Sequence, residues 1–129
     1  MRKFEGVMFP DALDLRYAFG HGGDWQLLQD FRVFWTDDGK EHQYKAGAGL
    51  ITDMASIPGW AQSIINKEGD SAKASIIHDH IYETQPADWA RKGADQLLYA
   101  GLRATGMGWL KAKAMYYAVR IGGQSVWDT

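Results

Sequence analysis

The hydrophobic period changes near Gly47-Ala48-Gly49, and that change limits the chain to few architectures. Before it, apolar and polar residues alternate in short runs: Leu13 to Phe19, Trp25 to Leu28, and Phe31 to Thr36. Alternation places successive side chains on opposite faces of a strand, which suits a sheet with one buried face. The intervening segments 20–24 and 37–40 carry glycine where a tight reversal needs a positive φ, so Glu41 to Lys45 is expected as a returning hairpin strand. After Pro58 the spacing becomes helical. Helices are expected over Trp60–Asn66, Ser71–Glu83, Pro86–Ala104 and about Trp109–Val126, with Gly106-Met107-Gly108 ending the third. Asp70 or Ser71 suits the N-cap of the second helix, and Ala87 or Asp88 the start of the third. The expected class is α+β, a small N-terminal antiparallel sheet followed by a helical bundle. At 129 residues, one domain is expected over 1–129, β-rich over 1–50 and helical over 51–129.

Composition narrows the function. A net charge of -2, with no basic stripe, argues against nucleic acid as a partner. There is no cysteine, hence no disulfide framework, thiolate metal site or thiol nucleophile. No N-terminal apolar segment reads as a secretory signal, and no apolar run is long enough for a transmembrane segment.

The residues with the most chemistry are His78-Asp79-His80-Ile81-Tyr82 and, in the next expected helix, Asp95. His78 and Tyr82, at i and i+4, share a helix face, and Asp79 lies about 100° round from His78. If the two helices pack antiparallel, Asp95 comes level with His78, and the two side chains should hydrogen-bond. A histidine oriented by one carboxylate beside a second carboxylate is a minimal device for activating water. The same residues also suit a plainer role, a buried hydrogen-bond network that locks two helices together. His80 points elsewhere on a helix, so zinc held by both histidines is disfavoured. Asp53 or Ser56, taken alone, reads as a helix cap. The six tryptophans suit a core or a subunit interface better than a lipid-facing collar.

Four spaced motifs occur in order: Thr52-Asp53-Met54-Ala55-Ser56-Ile57-Pro58, then His78-Asp79-His80-Ile81-Tyr82, then Ala94-Asp95, then Tyr116-Tyr117-Ala118-Val119-Arg120. Together they resemble a phage-encoded family known only as a domain of unknown function. More distantly, their order resembles phospholipase A2 in its short prokaryotic form. That resemblance implies a phospholipase A2-like helical bundle, with His78 as general base, Asp95 holding its other ring nitrogen, and Tyr82 bracing Asp95. It implies Ca²⁺ held by Asp79, Asp53 and the Met54 carbonyl, so that Asp53 and Asp79 should approach one another. The chain departs from that family in lacking cysteine and an export signal. The implied activity is calcium-dependent hydrolysis of phospholipid esters, with membrane phospholipid or phage structural proteins as partners. The alternatives are a non-catalytic virion or tail component that docks through the same fold, and a peptidoglycan hydrolase. The expected location is the host cytoplasm after synthesis, or the phage particle.

Overall fold

The computed structural model describes residues 2–18, 24–52 and 70–128. Its class is α+β, with an N-terminal antiparallel part followed by helices. The strands form two three-stranded sheets among the described residues. One has the order β1 (Glu5–Met8), β4 (Phe31–Asp37), β5 (Lys40–Ala46). The other has the order β2 (Leu15–Ala18), β3 (Asp24–Leu27), β6 (Ile51–Thr52). Four helices follow among the described residues: α1 (Ser71–Thr84), α2 (Arg91–Ala104), α3 (Trp109–Gly122) and the single turn α4 (Gln124–Trp127).

The expected hairpin is β4–β5, with Phe31 opposite Ala46 and Asp37 opposite Lys40. Its two-residue turn has positive φ at both Asp38 (50°) and Gly39 (79°). That conformation matches the right-handed twist of the strands it joins, and Asp-Gly adopts it at little cost. Alternation along β4 buries Phe31, Val33 and Trp35. These side chains pack against Ile76, Ile77 and Ile81 of α1 and against Trp89 and Leu97, forming one core between sheet and helices. A second apolar cluster joins the helices, with Ala74 of α1, Leu98 and Leu102 of α2, and Ala112, Met115 and Val119 of α3.

Three features correct the sequence expectations. Strand β1 was not expected; it pairs with β4 through an irregular register, and Gly6 at φ 58° breaks any readable alternation. Helix α2 begins at Arg91 rather than Pro86, because Pro86 to Trp89 form a turn (Trp89 N–H to Pro86 C=O, 3.0 Å) and Ala90 is extended. The turn inserts Trp89 among Phe4, Trp35 and Tyr44, and that aromatic contact outweighs one more turn of helix. The helix expected over Trp109–Val126 is interrupted at Gly123, which separates α3 from α4. The expected Trp60–Asn66 helix lies outside the described residues.

Two helix ends show how local sequence set the frame. The stop at Gly106 is a Schellman turn: Met107 N–H bonds Leu102 C=O (3.0 Å), Gly106 N–H bonds Arg103 C=O (3.1 Å), and Gly106 has φ 104°. Asp70 does stand at the N-cap of α1, but its side chain makes no capping bond; it lies 3.7 Å from the Lys73 ammonium instead.

Candidate functional site: a buried His78–Asp95 pair

Helices α1 and α2 run antiparallel. Ala74 meets Gly101, His78 meets Asp95, and Tyr82 meets Arg91, so one number falls as the other rises. Gly101 permits the approach: a methyl there would lie 2.8 Å from the Ala74 Cβ and 3.0 Å from Phe9. With the helices this close, the i, i+4 pair His78 and Tyr82 points into the seam at Asp95.

The expected hydrogen bond between His78 and Asp95 is present, with His78 Nε2–H donating to Asp95 Oδ1 at 2.7 Å. The Tyr82 hydroxyl donates to the same oxygen, also at 2.7 Å. The other oxygen, Oδ2, accepts from Arg120 Nη1 of α3 at 2.8 Å and lies 3.5 Å from Arg91 Nη1. Arg91 reaches further, to the Val119 and Arg120 carbonyls at the end of α3, both at 3.2 Å. One carboxylate thus ties three helices. His78, Tyr82 and Asp95 are all buried, and the His78 ring lies 4.4 Å from that of Tyr82.

The electrostatics follow from these contacts. Burial pushes the Asp95 carboxyl up, but the bonds from His78, Tyr82 and Arg120 outweigh it and hold the group below the usual carboxylate value. Burial, then the bond to Asp95 and its charge, push the Tyr82 hydroxyl up, so it stays a donor. An ionised acceptor at Nε2 keeps a proton on that nitrogen, which leaves Nδ1 as the basic atom of the neutral ring.

Asp79 is buried beside His78. Asp53 and Met54, the other two expected calcium ligands, lie outside the described residues, as does the expected approach of Asp53 to Asp79. Among the described residues no three metal-ligating side chains cluster. Calcium takes about six to eight oxygen ligands, and Asp79 supplies two at most. His80 is turned away from the pair, as its helical phase implied: its Nδ1 meets the Tyr44 hydroxyl of β5.

The two arginines were not assigned a role from sequence. Arg91 precedes Asp95 by four residues, a spacing that pairs charges on a helix, so it was open to detection. Arg120 stands 25 positions from Asp95, and its place in the Tyr116-Tyr117-Ala118-Val119-Arg120 motif was the available signal.

Gly123 completes the site by its lack of a side chain. Its φ of -81° suits any residue, but a methyl there would lie 2.5 Å from the Tyr82 hydroxyl oxygen. Gly123→Ala is therefore expected to destabilise the fold by about 1–3 kcal/mol through overpacking. Urea denaturation measures this, and a change under about 0.5 kcal/mol, the usual size of a neutral surface change, would contradict the steric reading.

An α+β chain whose helices converge on a buried His–Asp–Tyr–Arg network is the class of protein defined here. The chain belongs to the DUF1353 family, described as "Protein of unknown function", whose model matches residues 25–119. That span includes His78, Tyr82 and Asp95 and stops one residue before Arg120. Over 103 residues the chain is 39% identical to the uncharacterized protein y4jT of Sinorhizobium fredii (strain NBRC 101917 / NGR234), a match covering 77% of this chain and 29% of that protein. The match thus spans less than a third of that relative's length. No solved structure matches the chain.

Proposed function

We propose that this chain is a hydrolase of phospholipid esters in which His78 is the general base. The observation that carries the reading is the pairing of His78 Nε2 with an Asp95 whose two oxygens are held by Tyr82 and Arg120. That arrangement fixes the tautomer and orientation of the ring and directs its basic nitrogen, Nδ1, away from Asp95. In the reaction, Nδ1 takes a proton from water as the water oxygen bonds the ester carbonyl carbon. The carbon–oxygen bond to the alcohol then breaks, and the same proton passes to the departing oxygen. Asp95 stays ionised and stabilises the imidazolium formed between these steps. The resemblance to phospholipase A2 supports the ester as substrate. The resemblance to phage proteins supports a role in phage entry or exit.

Calcium belongs to the same proposal. Asp79 is the described residue that would help hold it, and the ion would polarise the ester carbonyl. The steps above rest on the chain's own side chains.

A second reading has its own support, in that the His78 residue is 1% exposed. A pair closed off from solvent suits a lock between helices, in a phage component that docks rather than catalyses. Fatty-acid release from mixed phospholipid vesicles, with and without millimolar calcium, separates the two. The hydrolase releases fatty acid when calcium is present, and calcium raises its melting temperature more than magnesium does. No release on any vesicle composition would leave the docking reading. An unchanged melting temperature would remove the calcium site.

A further inference from the structure

We propose that the outer face of α3 is a docking surface for an anionic lipid membrane. The helix is apolar on two opposite faces. One, with Ala112, Met115 and Val119, is buried in the helical cluster. The other carries Leu110, Ala114, Tyr117 and Ile121, spaced i, i+4, i+7, i+11, which fall within a sector of about 60° at 100° per residue. All four are exposed: Ile121 at 82%, Leu110 at 70% and Tyr117 at 54%, with Ala114 also open. Trp109, at the start of the helix, is 61% exposed. A helix with two apolar faces is ordinarily covered on both. Here one side is left to solvent over a line of about 16 Å, at 1.5 Å per residue.

Charge and shape select the occupant. Helix α3 carries Lys111, Lys113 and Arg120 and no acidic residue. Arg120 is paired with Asp95, but two copies packed through this face would bring Lys111 and Lys113 together with their counterparts, which disfavours a homodimer and favours an anionic surface. Side chains as exposed as Ile121 and Leu110 stand on a ridge, suited to shallow insertion between lipid headgroups. A short helix of this kind, apolar on one side with lysine at its flank and tryptophan at its end, lies in a membrane interface rather than across it. Beside Lys113, a cavity of about 190 Å³ between α2 and α3 is lined by Gln96, Tyr99, Lys113 and Tyr116, with donors and no carboxylate. It is placed to take a headgroup phosphate while the ridge inserts. No helix among the described residues is long and apolar enough to cross a membrane.

Co-sedimentation of the full chain with sucrose-loaded vesicles tests this directly. The chain is expected to pellet with phosphatidylcholine vesicles containing about a third phosphatidylglycerol, and much less with phosphatidylcholine alone. Ile121→Asp and Leu110→Asp should each weaken partitioning about tenfold or more, since each removes a large inserted side chain. Both sites are exposed, so unchanged melting curves will confirm folding. Lys113→Glu should reduce binding to the anionic vesicles alone and flatten its salt dependence. Failure to pellet with anionic vesicles, or equal pelleting of the Leu110→Asp, Ile121→Asp double variant, would overturn the proposal. So would a dimer in sedimentation equilibrium that Ile121→Asp dissolves, or selective capture of an acidic amphipathic peptide in place of vesicles. Pelleting requires no turnover, so this proposal and the hydrolase reading fail independently.

Discussion

Asp95→Asn is expected to cost roughly 3–5 kcal/mol of folding stability, the usual penalty for removing one partner of a buried charge pair. The substitution preserves shape but removes the charge that Arg120 and Arg91 face. It also sets an amide N–H₂ against guanidinium donors, or against the Tyr82 hydroxyl and His78 N–H if the amide flips. The loss should depend on pH with a definite sign. Because the Asp95 carboxyl in the folded chain titrates below its ordinary value of 3.8, its contribution is complete above that value. It declines as pH falls through the lower, folded value. Wild type and Asp95→Asn should therefore differ most near neutrality and converge in acid. A second check is the cycle with Arg120→Gln. If the 2.8 Å contact carries the effect, the two single losses will sum to more than the double loss by over about 1 kcal/mol. Strict additivity, or a gap between the variants that does not narrow as the pH falls below 3.8, would show that the charge of Asp95 is not what stabilises the fold.

The parts of this fold that were legible in sequence are those where local chemistry and tertiary packing agree. Asp38-Gly39 specified its own turn and thereby the register of β4 on β5. Leu102 to Met107 specified its own helix stop. The His78–Asp95 bond was legible for a different reason: helical phase placed both side chains on inward faces, and antiparallel packing required nothing more than close approach. The illegible parts depend on contacts distant in sequence. Nothing near Pro86 announces that Trp89 will leave the helix for the rings of Phe4 and Trp35, 85 and 54 positions away in the chain. Strand β1 is short and irregular and borrows its order from β4. Gly123 looked like one more small residue in a helix; its reason is the Tyr82 hydroxyl, which arrives from α1. Arg120 belongs to the same group, since a cation on α3 acquires meaning only when α2 presents Asp95 to it.

His78→Gln separates the chemistry of the network from its architecture. Glutamine is close to histidine in bulk, and its amide N–H₂ can donate to Asp95 Oδ1 in place of His78 Nε2–H. It cannot accept a proton near neutral pH. Stability should therefore fall by only about 1–2 kcal/mol, the range for weakening one buried hydrogen bond. If His78 is the base, hydrolysis of phospholipid should drop by about 10²–10⁴, the span that general-base catalysis contributes. Vesicle binding through α3 should not change, because Leu110, Tyr117 and Ile121 lie on the face of α3 opposite its packed side. Measured together, the three readouts leave little room for confusion. Loss of turnover with folding and binding intact identifies His78 as the base. Equal turnover in wild type and variant removes it from the reaction, whatever else the protein hydrolyses. A large loss of stability, comparable to that of Asp95→Asn, with no wild-type hydrolysis to lose, assigns the pair to the lock between α1 and α2. The donors around Asp95 make either outcome readable: Arg120 and Tyr82 hold its charge beside His78, so loss of the ring removes one contact of the carboxylate and leaves the others in place.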